Sequence, residues 1–264
     1  MKNVVWHFPE HIEKVPDMLK KHKVFLHGGG THLTGNRLTN NAQLISLDKL
    51  ELDFVKKEGG VFQLGAQSTY QKVVDELSNY NPEHILVKAL GQAATHPLRN
   101  RITLGGSLFL SPGWSDLPGP LTALDAQVHL FGENQGTYPV SEFIQRRELK
   151  KNSIITKISF PDIPCKSRYY RECITKNDHP TFTLTILKFD KDIRIVLTGH
   201  TDRVYRAQKV EKDTKQASFQ PLPRKQIDFH QDIHFAPVKG MTPGYIRHLA
   251  ETATYRALEE ILKE

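Results

Sequence analysis

The residues with the most to offer chemically lie in two glycine-bearing segments and one aspartate. Gly28-Gly29-Gly30-Thr31-His32 follows the short apolar run Val24-Phe25-Leu26. Successive glycines let consecutive backbone N–H groups converge on an anion without Cβ interference, so phosphate oxygens are the ligand such a turn suits. The turn lacks the GxGxxG spacing of a Rossmann fingerprint and the Lys-Ser/Thr ending of a P-loop, so nucleotide hydrolysis has no support. Taken alone it reads as a tight turn at a strand end. The second segment is Arg99-Asn100-Arg101-Ile102-Thr103-Leu104-Gly105-Gly106-Ser107-Leu108, in which a Gly-Gly pair offers amides and the Thr103 and Ser107 hydroxyls offer further hydrogen bonds. Nine positions after Ser107 stands Asp116, an acceptor suited to the hydroxyls of a ribose or ribityl chain. A diphosphate held between two such segments, with a carboxylate for sugar hydroxyls, describes a dinucleotide site.

Other chemistry is thinly represented. No Gly-x-Ser-x-Gly or His-Glu-x-x-His motif occurs. His27 and His32 lie in the glycine turn, and His230 and His234 lack a convincing third ligand, so exposed or hydrogen-bonded roles are expected for all four. Only two cysteines occur, Cys165 and Cys173, too few for an iron–sulfur cluster or a four-thiolate zinc site; free thiols in a reducing cytoplasm are expected. The net charge of +7 comes from scattered basic residues without an arginine-rich arm or basic helix face, so nucleic acid is not the expected partner. Dinucleotide phosphates or an acidic protein partner suit the same charge. No apolar stretch approaches the roughly 18 residues that a spanning helix needs. Met1 to His7 does not resemble a secretory signal, and a cytoplasmic location is expected. Trp114, close to Asp116, is expected to pack in the core. No side chain is assigned as a general acid or base.

The elements that must position these groups follow from periodicity. Pro9 to Lys21 reads as a short helix, with Pro16 tolerated in its first turn. Lys23–Leu26, Leu44–Leu47 and Val61–Gly65 read as strands, and Tyr70 to Asn79 as a helix facing Val73, Val74 and Leu77 inward. This alternation is that of an α/β unit. From Gly105 the chain becomes dense in Gly and Pro (Pro112, Gly113, Pro118, Gly119, Pro120) and reads as a structured loop. Ile154 to Phe160 alternates like a half-buried strand, and Pro161 and Pro164 mark a domain boundary near residues 161–166. The remainder reads as a smaller α+β unit. Its last helix is expected from Pro243 to Leu262, capped by Thr242, with Ile246, Leu249, Ala250, Ala253, Ala257 and Ile261 inward.

These motifs resemble those of the FAD-binding subunit of the xanthine dehydrogenase and carbon monoxide dehydrogenase family. That family reads Ala-Gly-Gly-Thr-Asp-Leu where this chain has Gly28-Gly29-Gly30-Thr31-His32-Leu33. It reads Arg-Asn-x-Ala-Thr-x-Gly-Gly-Asn, then Ser-Asp-Leu-x-Pro-x-Leu-x-Ala-Leu-Asp-Ala. Here the matching segments are Arg99 to Ser107 and Ser115-Asp116-Leu117-Pro118-Gly119-Pro120-Leu121-Thr122-Ala123-Leu124-Asp125-Ala126. Gly65-Ala66-Gln67-Ser68-Thr69 is similar to the family's Gly-Ala-x-Thr-Thr. Thr242 to Ala250 with Arg256-Ala257-Leu258 is similar to its C-terminal pattern. The resemblance runs in order over essentially the whole chain. His32 stands where the family carries Asp and Ser107 where it carries Asn, and Thr175 to Pro180 departs from an Arg-rich stretch.

The resemblance implies an α+β fold: a two-subdomain FAD-binding domain of the vanillyl-alcohol-oxidase type over residues 1–163, then a small α+β domain of antiparallel sheet plus helices over 164–264. It implies FAD as cofactor, its pyrophosphate at Phe25, Leu26, His27, Gly28, Gly29, Gly30, Thr31 and His32, with Thr103, Gly106 and Ser107 continuing the clamp. Asp116 would hold FAD hydroxyls, Ile155 would pack on the flavin ring, and Arg171, after Tyr170, would supply the basic residue of the second domain. It implies partners carrying iron–sulfur centres and a molybdopterin, with NAD, a quinone or dioxygen taking the electrons. Two rival readings are a self-sufficient flavin oxidase and a flavin-free structural subunit.

Overall fold

A computed structural model describes residues 3–33, 38, 40–199, 204–229, 233–235, 238 and 240–263. The chain begins with three strands, β1 (Val4–His7), β2 (Val24–His27) and β3 (Ala42–Ser46), in a parallel sheet of order β1-β3-β2. The connection from β1 to β2 is a 3-10 turn at Ile12–Lys14 leading into helix α1 (Val15–Leu19), with proline in the first turn, where its missing N–H costs nothing. The helix is thus shorter than the Pro9–Lys21 stretch suggests. Val15, Ile45, Leu47 and Ile154 form a small core beneath this sheet.

The second sheet is antiparallel, in the order β4-β5-β8-β6-β7: β4 (Val55–Glu58), β5 (Val61–Gly65), β6 (Gln127–Gly132), β7 (Gly136–Pro139) and, at its centre, β8 (Ser153–Pro161). Gly59 and Gly60 both have positive φ (57° and 75°), which lets two residues reverse the chain between β4 and β5. Between β5 and β6 come α2 (Tyr70–Tyr80), α3 (Ile85–Gln92), α4 (His96–Arg99), α5 (Leu104–Leu110) and α6 (Pro118–Ala123). Thr69 caps α2 by accepting from Lys72 N (3.2 Å), and the helix buries Tyr70, Val73 and Leu77 at helical spacing. The Gly/Pro-dense stretch is not one loop, as its composition suggests. Thr103 supplies a cap that starts α5, and Pro118 sits in the first turn of α6, so punctuation residues here begin helices. Helix α7 (Val140–Gln145) follows β7.

The second sheet ends at Pro161, and a third, antiparallel sheet starts at Lys166. Its order is β12-β11-β10-β9, from β9 (Lys166–Glu172), β10 (Phe182–Lys188), β11 (Ile193–Thr198) and β12 (Val204–Arg206). Helices α8 (Gln208–Gln216) and α9 (Pro243–Lys263) complete the unit. Strand β10 is buried on both faces, and its period of two separates them. Phe182, Leu184 and Ile186 join Ile246, Ala250, Leu258 and Ile261 of α9 in one core. Thr183 and Thr185, with Thr198 of β11, meet α6: a Cβ on Gly119 would stand 3.2 Å from Thr185 Oγ1 and 3.2 Å from Thr198 Cγ2. A glycine is what lets this helix lie close against the threonine face. The inward stripe of α9 matches expectation except that Leu249 is only partly buried and Thr254 and Leu258 join it. Among the described residues no helix is long and apolar enough to cross a membrane.

Candidate functional site

The parallel sheet delivers β2 to a turn of glycines at its C-terminal end. Within that turn Gly30 has φ +72°, a conformation glycine adopts at no steric cost. Gly28 and Gly29 are required for a different reason, close approach. A Cβ on Gly28 would lie 2.8 Å from Gln67 Oε1 and 2.9 Å from Thr103 Oγ1, and one on Gly29 would lie 1.4 Å from the Arg101 carbonyl oxygen. The two glycine-bearing segments therefore touch. Arg101 locks them by donating from Nε and Nη2 to Gly29 O (3.2 and 3.1 Å).

A third turn joins them. Leu104 N donates to Ser68 O (2.9 Å), Gly105 N to Ala66 O (2.7 Å) and Tyr70 N to Ile102 O (2.9 Å), so residues 65–70 and 102–105 are laced together. A Cβ on Gly105 would stand 2.8 Å from Ala66 Cβ. Thr103 Oγ1 accepts from Gly106 N (3.2 Å), so that amide is already used as a helix cap. Ser107 Oγ pairs with Tyr70 OH (2.5 Å) and Ser115 Oγ (3.2 Å), which carries the network to the neighbour of Asp116. Burial raises the Tyr70 phenol's pKa, keeping it a neutral partner for these hydroxyls.

Asp116 is buried, 6% exposed, and is already engaged by the protein. Its Oδ1 accepts from Tyr169 OH (2.7 Å) and from Arg171 Nε (2.9 Å). Burial raises its carboxyl above the ordinary aspartate value, and the Tyr169 hydrogen bond and the Arg171 charge oppose that rise. Arg171 also donates to the carbonyls of Lys176 and Asp178, so it ties the 175–178 loop to the aspartate. That loop leads to His179, whose ring stacks on Trp114 with centroids 3.7 Å apart. Trp114 is 45% exposed, which corrects the expectation that it packs in the core.

The remaining expected residues are dispersed. Leu26 turns its side chain into the small core under the first sheet, whereas Phe25 and His27 share the opposite face. Ile155, 4% exposed, is part of the main core; Thr156 beside it accepts the Ala66 N–H (3.0 Å). His32 is exposed at the rim of the turn. His230 lies outside the described residues, and among those described no three His, Cys, Asp or Glu side chains are grouped to hold a metal. Sequence reasoning missed Arg101, Gln67 and Tyr169. The first two lie inside the motifs but carry no local signal of their partners, and Tyr169 is a plain strand residue.

The glycine turn fits a dinucleotide diphosphate. Among the described residues no acceptor reaches the N–H groups of Gly28, Gly29, Gly30 or Thr31. The side chains of Gln67 and Thr103 pack against Gly28, and an exposed guanidinium, Arg101, lies alongside the turn. His27 Nδ1 is buried without a hydrogen-bond partner. Unpaired amides and an unpaired buried nitrogen at one turn are donors and acceptors awaiting a ligand.

Comparison with known proteins bears on the family and the fold. Residues 2–163 match the family described as the FAD binding domain in molybdopterin dehydrogenase. Uncharacterized protein YgfM of Escherichia coli is 27% identical over 214 residues, 77% of each chain. The glyceraldehyde dehydrogenase medium chain of Sulfolobus acidocaldarius is 23% identical over 189 residues, 67% of each. A chain of carbon monoxide dehydrogenase from Hydrogenophaga pseudoflava, in a form lacking the Mo-pyranopterin moiety, has the same fold, with a TM-score of 0.85 at 22% identity over 98% of this chain and 97% of that one.

Proposed function

Because the chain belongs to the family of FAD-binding domains in molybdopterin dehydrogenases, we propose that it binds one FAD and passes on electrons that arrive from a molybdenum site in a partner subunit. The observation that carries this reading is the contact of the two glycine segments, with the amides of Gly28 to Thr31 meeting no acceptor among the described residues. In this reading the amides of Gly28 to Thr31 hold the diphosphate, and Arg101 adds a cation beside it. Thr103, Gly106 and Ser107 form the opposing wall. Asp116 offers its second oxygen to a ribose or ribityl hydroxyl while Arg171 and Tyr169 keep the carboxylate oriented, and Ile155 lines the ring side. Residues 1–163 serve as the cofactor domain and 164–264 close over Asp116 through Arg171. When bound, the flavin supplies the redox chemistry, and the protein sets its position and exposure.

Two cysteines cannot build the iron–sulfur relay, so this function requires partner subunits that hold the iron–sulfur centres and the molybdopterin. NAD or a quinone is the acceptor class such a flavin serves. The test is reconstitution. Purified chain incubated with FAD and desalted should carry a stoichiometric flavin spectrum, and acid precipitation should release all of it, since no His or Cys is assigned to a covalent link. A chain that stays colourless refutes the cofactor reading. Bleaching of the flavin by a substrate of the isolated chain would point instead to a self-sufficient oxidase.

A further inference from the structure

The glycine turn continues into an aromatic surface that the proposed diphosphate clamp does not use. Trp6 in β1 and Phe8 just after it are 43% and 55% exposed, and their rings stack with centroids 6.0 Å apart and planes 13° from parallel. The edge of His27 meets Trp6, centroids 4.8 Å apart at 73°. His27 in turn borders the turn itself: a Cβ on Gly30 would lie 2.7 Å from His27 Nε2. A continuous wall therefore runs from Gly30 through His27 to Trp6 and Phe8. It stands at the C-terminal ends of three parallel strands, where open parallel sheets receive ligands.

We propose that Trp6, with Phe8, is the stacking platform for the adenine of the bound dinucleotide, the His27 ring spacing the base from the diphosphate turn. The inference rests on the FAD reading above. Two exposed aromatic rings side by side are costly in water and present a flat π-face, which suits a purine and gives no advantage to a phosphate or sugar. The His27 ring, whose Nδ1 is buried without a hydrogen-bond partner, stands between Trp6 and Gly30, so a polar group of the nucleotide can supply that missing partner.

The chain has two tryptophans, so Trp114→Phe leaves Trp6 as the only indole, and its emission reports on the platform directly. Adding ADP to this variant should quench the emission saturably, at concentrations that also displace FAD. In the chain carrying both indoles, Trp6→Ala should weaken FAD and ADP by the same factor, roughly 5- to 100-fold for one lost stacked base. FMN, which lacks the adenine, should bind both chains equally. Trp6→Phe should restore most of the loss, and circular dichroism should show that each variant is folded. Unchanged Trp6 emission at saturating ADP, or full FAD affinity in Trp6→Ala, overturns the proposal and leaves the cofactor reading intact; the patch would then be a surface for something other than a nucleotide. A wild-type chain that binds neither FAD nor ADP removes both.

Discussion

Replacing Arg171 by alanine tests how strand β9 is fastened to the segment that precedes α6. The guanidinium is 5% exposed and the Asp116 side chain 7%, so neither charge has water to fall back on. Removing one partner of a buried pair leaves the other desolvated and typically costs about 3–5 kcal/mol. Here Tyr169 still donates to Asp116, so a loss of about 3 kcal/mol is expected, at the lower end of that range. The pH dependence carries the sharper signature. Asp116 holds its proton more tightly in the native state than an ordinary aspartate does, and Arg171 is one of the groups limiting that rise. Without the arginine the native value climbs further, so the variant's native state binds more protons than its unfolded chain over a wider range. Its stability deficit is therefore largest at neutral pH and shrinks as pH falls through the raised native value toward the ordinary aspartate range. Urea denaturation of wild type and Arg171→Ala at about pH 7 and about pH 5 measures this, and a cycle with Asp116→Ala isolates the pair. A loss under about 1 kcal/mol would mean a solvent-screened pair. A loss equal at both pH values would mean that Asp116 is not the group left stranded.

Three further substitutions address other parts of the molecule. Gly29→Ala puts a Cβ 1.4 Å from Arg101 O, so the two segments must part; the chain should fold by circular dichroism yet lose FAD in an absorbance titration. His84 caps α3 by accepting from Leu86 N at Nδ1 (3.2 Å), and burial lowers its pKa from 6.5 to about 4. The neutral ring is thus the native form, and its contribution is lost as pH falls from about 6.5 toward 4. His84→Asn keeps a cap and should flatten that part of the stability–pH curve. Glu211, 3% exposed, accepts from Ile195 N (2.8 Å) and Arg206 Nε (3.0 Å). Glu211→Ala should cost about 3–5 kcal/mol by chemical denaturation, and Glu211→Gln, which keeps an acceptor, clearly less.

What the amino-acid sequence determined by itself is whatever short-range physics encodes. The cap and apolar spacing of α2, the start of α9 at Pro243 and the existence of a glycine turn after β2 follow from neighbours within a few positions. The same locality explains the errors. Gly and Pro near residues 104–123 read as loop, because composition cannot say whether a glycine frees the backbone or only clears room for a packed neighbour; Gly105 against Ala66 and Gly119 against Thr185 do the latter. In the first turn only Gly30 needs its positive φ, whereas Gly28 and Gly29 answer to side chains and a carbonyl more than 35 positions away. Asp116 could be singled out as an acceptor, but not that Arg171, 55 residues on, would take one of its oxygens. Trp114 reads as a core residue from its type, yet it stays exposed and stacks on His179, whose loop arrives from 65 residues further on. Such pairings are decided only when distant segments pack, since a side chain's partner and exposure depend on which surfaces meet, and no local pattern records that.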